Sequence, residues 1–141
     1  MNLLRLYEFT GEERYRVQAE RIFAAFSRDL ERNPMGMPWL ASALDYYLDR
    51  PREVVIVYGE ERASAAQLEA ELHRHFLPNR VISVVSEQEV AAHGEILSFV
   101  QAKRMIGGRA TAYVCERGIC QRPTSEAEVL GQQLRASPSA L

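Results

Sequence analysis

The sequence predicts an α/β fold: N-terminal antiparallel helices packed on a small three-layer α/β lobe, which contains a parallel β-α-β unit and closes with a C-terminal β-hairpin plus helix. Three observations lead there. Through the first fifty residues, apolar side chains recur at spacings of three and four between short turn sequences, the period of helices with one buried face. After Pro51 the pattern changes to two β-branched runs, Val54-Val55-Ile56-Val57-Tyr58 and Val81-Ile82-Ser83-Val84-Val85, separated by an amphipathic stretch. Finally, residues 109–124 hold both cysteines and read as a hairpin turning at Arg117-Gly118, from which a last helix starts. The expected division is a helical segment over 1–50, an α/β lobe over 51–136 and a tail over 137–141.

Each element has its own signal. Leu3, Leu4, Leu6 and Tyr7 fit the inner face of a helix with no cap before it, as if it had been running before Met1. Thr10-Gly11-Glu12-Glu13 then supplies a turn and a capping box. The long helix that follows carries its stripe at Tyr15, Ala19, Ile22, Phe23, Phe26 and Leu30, and Asn33-Pro34 ends it, because the residue before proline is pushed out of the helical region. Pro38 suits the first turn of a third helix. Its inner face is expected to hold Trp39, Leu40, Ala43, Leu44, Tyr47 and Leu48, with Trp39 and Tyr47 as core, and Asp49-Arg50-Pro51 stops it.

Both β-branched runs read as strands covered on two faces. Between them, Ser64 to Gln67 offers a capping box to a helix whose buried stripe is Ala65, Leu68, Leu72 and Phe76, ended by Pro78-Asn79. Ser86 to Glu89 offers another to a short helix broken near His93-Gly94, after which residues 96–101 resume as helix with Ile96, Leu97 and Val100 inward. Gly107-Gly108 makes a turn before the hairpin. Ser125 to Glu128 caps the final helix, with Leu130 and Leu134 inward, and Ser137-Pro138-Ser139 reads as frayed.

Composition bounds function. The 141 residues are 47% hydrophobic and 26% charged with a net charge of −2, which argues against disorder and against a strongly basic nucleic-acid binder. No apolar run approaches the ~20 residues that span a bilayer, and the N-terminus lacks the order of a secretion signal, so a cytoplasmic protein without membrane contact is expected. Two cysteines are too few for a disulfide framework.

Across a two-residue turn Cys115 faces Cys120, and both thiols project to one side of the sheet. Three readings stay open: two small apolar side chains beneath a helix, a disulfide or redox pair, and half of a zinc site completed by His73, His75 or His93. The turn over residues 58–64 carries one glycine and two acidic residues, and neither a dinucleotide fingerprint nor a phosphate loop. Asp45, His73, His75 and His93 are acid–base candidates without an assignable constellation. No cofactor is assigned.

Ala112-Tyr113-Val114-Cys115 followed by Cys120, Pro123 and a capped helix resembles the C-terminal end of the spermatogenesis-associated, thioredoxin-like protein family. Leu3-Leu4, Thr10-Gly11 with Tyr15, Asn33-Pro34 with Gly36, Ala43-Leu44-Asp45, Glu53 to Val57 and Leu77-Pro78-Asn79 agree in order, so the resemblance covers nearly the whole chain; Tyr58-Gly59 departs from it. It implies the tail of a longer protein, with an N-terminal thioredoxin-like domain and most of an α/α-barrel absent. That barrel is similar to N-acylglucosamine 2-epimerases and six-hairpin glycosidases. Three functions follow as expectations: a non-catalytic structural or interaction module; part of a carbohydrate-modifying enzyme with a pocket at Trp39, Asp45 and Tyr46; or thiol chemistry at Cys115 and Cys120. In isolation, self-association through the helices bearing Leu3, Tyr15, Ile22 and Phe26 is expected. The element order after Pro51 is that of a thioredoxin fold, without a cysteine after its first strand.

Overall fold

A computed structural model describes residues 1–49 and 51–136. Arg50 and the stretch read as a frayed tail, Ser137-Pro138-Ser139, lie outside the described residues.

Three helices come first: α1 (Asn2–Thr10), α2 (Glu13–Arg32) and α3 (Pro38–Leu48). Gly11 ends α1 in the left-handed region, φ 71°, where its amide donates to the Tyr7 carbonyl at 2.7 Å, a conformation that costs glycine little. Their shared core is small, comprising Leu4, Ala19, Ala43 and Tyr46, with Phe23 and Tyr47 in tilted ring contact at its margin, 5.4 Å between centroids.

The lobe follows, built from β1 (Arg52–Tyr58), α4 (Ala66–His73), β2 (Arg80–Ser86), α5 (Val90–Gly94), β3 (Thr111–Glu116), β4 (Ile119–Cys120) and α6 (Ala127–Arg135). Its strands form one mixed sheet in the order β2-β1-β3-β4. β2 runs parallel to β1, with Val54 beside Ile82; β3 is antiparallel to β1, with Val54 beside Val114. Alternate residues of β1 therefore serve two cores. Val54 and Ile56 meet Leu68, Leu72, Leu130 and Leu134 from α4 and α6. Val55 and Val57 meet Val90, Phe99, Val100 and Tyr113, and α1 joins that face through Phe9, 5.9 Å from Phe99 between ring centroids. The α/β class with its three layers is as the sequence predicts.

Several local expectations differ, for physical reasons. β1 is buried on both faces, but β2 alternates between buried and half-buried residues because it is an edge strand. The helix expected to run to Pro78 ends at His73, so Phe76 falls beyond it and is 90% exposed rather than part of the stripe. Residues 96–101 make only one 3-10 turn, at Ser98–Val100, which leaves Ile96 exposed. Trp39, expected in the core, is 85% exposed, and Leu48 is exposed as well; Ala43 is buried as expected, and Tyr46, not among the residues expected on that face, is buried with it.

None of the four expected capping boxes closes. The Thr10 hydroxyl stays with α1, donating to the Leu6 carbonyl and accepting from the Glu12 amide. Ser64 lies inside a 3-10 turn and donates to the Glu61 carbonyl, while the Ser86 hydroxyl donates to the Glu89 carboxylate at 2.6 Å without reaching a helix amide. At α6 the work falls to Thr124, whose hydroxyl accepts from the Glu126 amide at 3.0 Å.

Candidate functional site

The Arg117-Gly118 turn has both residues at positive φ, 49° and 77°, the signature of the type I′ turn whose twist matches that of the flanking strands. This places Glu116 opposite Ile119 and Cys115 opposite Cys120, as the spacing predicts. Cys115 and Cys120 are joined in a disulfide, S–S 2.06 Å. Of the three readings left open by the sequence, the structure shows the bonded pair. Among the described residues no group of three or more His, Cys, Asp and Glu is placed to hold a metal ion.

The pair is asymmetric. Cys115 is 2% exposed in the core of the second sheet face, whereas Cys120 is half-buried near the tip. Lys103 reaches across from the loop preceding β3, its ammonium donating to Cys120 Sγ at 3.1 Å. The same ammonium lies 5.1 Å from the centroid of the Tyr113 ring, an attractive cation–π placement. Tyr113 fixes the loop in turn, donating through its hydroxyl to the Arg104 carbonyl at 2.7 Å.

Glu53 connects the hairpin to a cleft. It stands directly beside Cys115 across β1 and β3, is 8% exposed, and accepts a hydrogen bond from the Gly118 amide. Burial raises its carboxyl above the ordinary range, against the opposing pull of Lys103 and that amide. On its other side opens a cleft of ≈ 630 Å³ between the helical segment and the lobe, lined among others by Glu8, Glu53, Tyr46, Tyr47, Arg16 and Arg117. Glu8 is pushed up to about 7, first by burial and then by the like charge of Glu53, with Arg117 opposing. Tyr46 is 1% exposed and its hydroxyl has no hydrogen-bond partner among the described residues. Burial, then the Glu8 charge, raises its phenol. Near neutrality such a cleft can present a protonated carboxyl beside an acceptor.

The structure scatters the residues read as a ligand pocket. Tyr46 lines the cleft; Asp45 instead accepts from Asn79 Nδ2 at 3.2 Å on the surface, and Trp39 stands in solvent at the start of α3. His73 and His75 border a separate open cleft of ≈ 680 Å³ with Arg5, Arg74 and Arg80, where His75 Nε2 lies 3.0 Å from the Glu71 carboxylate. Glu8, Glu53 and Lys103 escaped the sequence reading. Glu53 did carry a signal, a carboxylate abutting an apolar strand, whereas Lys103 meets Cys120 only through a loop whose path no periodicity encodes.

Comparison with known proteins gives relatives that bear the family name the resemblance points to. The chain is 28% identical to spermatogenesis-associated protein 20 of Homo sapiens over 125 residues, 89% of this chain and 16% of that protein. It is 26% identical to the protein of the same name in Mus musculus over the same shares. An uncharacterized Caenorhabditis elegans protein is 29% identical over 131 residues, 92% of this chain and 17% of its own length. The chain thus spans about a sixth of the length of the curated relatives it matches. No protein-family model matches it, and neither does any solved structure.

Proposed function

We propose that this chain is a non-catalytic structural module whose N-terminal helices dock on further helices of a longer protein, residues 1–50 supplying the docking face and 51–136 the lobe behind it. The observation that carries the reading is the apolar surface left on the N-terminal segment: on α3 Trp39 is 85% and Leu48 70% exposed, on α2 Ile22 and Phe26 are each above 40%, and Met35 in the 3-10 turn between these helices is 87%. Large side chains in such number on one small helical segment signal a surface meant to be covered. The extent of the similarity supports it, since most of this chain aligns with a small part of much longer relatives. The strand order β2-β1-β3-β4, with β2 parallel and β3 antiparallel to β1, supports reading the lobe as thioredoxin-like, though no cysteine stands directly after β1.

Trp39 is the single tryptophan and so reports on the exposed start of α3. In dilute chain its emission should be that of a solvated indole, moving to the blue when the face is covered at rising concentration. Emission that stays red at every concentration would sink the proposal.

A second reading, a site for a carbohydrate, is favoured by the Glu8–Glu53–Tyr46 cleft, where two carboxyls and an unpartnered hydroxyl converge on space of ligand size. A thermal-shift screen of mono- and disaccharides tests it, and no stabilisation by any of them removes it.

A further inference from the structure

We propose that Cys115 and Cys120 form a thiol–disulfide exchange centre in which Cys120 is the attacking sulfur, Lys103 holds its thiolate, and Cys115 resolves. The proposal rests on the asymmetry around the bond. Only Cys120 touches a cation, Lys103 Nζ at 3.1 Å, and only Cys120 retains solvent exposure. Cys115 is buried and lies across from the Glu53 carboxylate, whose charge opposes a second anion there. An ammonium at hydrogen-bond distance favours the thiolate, the reactive form of cysteine, so reduction leaves a nucleophile at Cys120 and a neutral thiol at Cys115. Lys103 is held in place rather than free to sweep, by the face of Tyr113 and by the bond from the Tyr113 hydroxyl to Arg104. A hairpin staple needs none of this, because the register alone would keep the sulfurs together.

The chemistry closes with a disulfide substrate as the oxidant. The Cys120 thiolate attacks one sulfur of the substrate, forming a mixed disulfide and releasing one substrate thiolate. Cys115 then loses its proton and attacks Cys120 Sγ, which forms the intramolecular bond and releases the second thiolate. Two electrons pass from the protein dithiol to the substrate, which leaves as two thiols once protonated. The route is unrelated to a cysteine pair after a first strand, since these sulfurs sit at the far end of the sheet order, on β3 and β4.

The test uses the full chain, reduced, with oxidised glutathione as the probe. Trapping in acid should yield glutathione on Cys120 in Cys115→Ser, and little on Cys115 in Cys120→Ser; the reverse pattern overturns the assignment. Alkylation of Cys120 in Cys115→Ser, or in Cys115→Ala if the serine variant is poorly folded, should show a midpoint below the ordinary ~8.5 of a free cysteine. Lys103→Met should move that midpoint up by about one unit and slow oxidation of the otherwise intact chain roughly tenfold at pH 7. An unmoved midpoint and rate in Lys103→Met would leave the pair a plain staple. Two freely alkylated thiols in chain purified without reductant would contradict the bonded pair itself, and the proposal with it.

Discussion

Glu8 and Tyr46 are the residues whose chemistry departs furthest from their sequence appearance. A carboxyl raised to about 7 in the folded chain holds its proton where the unfolded chain has lost it, so it favours folding below its unfolded value near 4.5 and ceases to do so as pH rises to about 7. Stability should therefore fall across pH 4.5–7, and Glu8→Gln should flatten that slope and gain about 1 kcal/mol at pH 8, the shift being discounted for partial exposure. Urea melts at several pH values measure this; an unchanged slope in Glu8→Gln refutes it. Glu13, Glu71 and Glu89 are held low by Arg16, His75 and Ser86 respectively, and act only below about 4.5, outside that window. Tyr46→Phe removes an unpartnered buried hydroxyl and should be neutral or stabilising by up to about 1 kcal/mol in the same melts. A loss above 2 kcal/mol would mean that the hydroxyl has a partner. Neither effect could be read from the sequence, since Glu8 looks like the polar face of a helix until Glu53 is brought against it.

At the scale of elements, what the sequence revealed depended on how many neighbours each element needs. β1 is central and sandwiched, so its unbroken apolar run announced it. β2 carries nearly the same composition and became an edge strand, a difference of position that composition does not encode. The hairpin was readable because turn chemistry is local, and Gly118 meets nothing within 4 Å on its open side. Gly118→Ala should therefore cost only its positive φ, about 1 kcal/mol by thermal melting, and leave the Cys115–Cys120 bond in place. The hydroxyl caps failed as expectations because other local partners claimed those groups, the Leu6 carbonyl for Thr10, the Glu61 carbonyl for Ser64 and the Glu89 carboxylate for Ser86. Arg52 is the opposite case, unremarkable in sequence yet placed at the start of β1 to hold the end of α6. Its guanidinium donates to the carbonyls of Leu134 and Ala136 and pairs with Glu116 across the strand at 3.3 Å. Arg52→Ala should cost about 1.5–3 kcal/mol, with amide exchange accelerated first in α6, because bonds to a charged donor are lost at a helix end. Uniform acceleration, or none, would contradict the clamp.

Over the whole molecule the two parts differ in how well they are closed. The lobe buries β1 between two cores, whereas α2, twenty residues long, has one buried residue, Ala19, and leaves Ile22 and Phe26 of its apolar stripe exposed. The sequence placed that stripe correctly but not what would cover it, because periodicity shows which face is apolar and is silent about the partner. An open stripe on a stable lobe is the central claim, and light scattering over a concentration series tests it most directly. The chain should associate with rising concentration, and Ile22→Glu with Phe26→Glu should return it to monomer with far-UV circular dichroism unchanged. A monomer at millimolar concentration without those changes would contradict it.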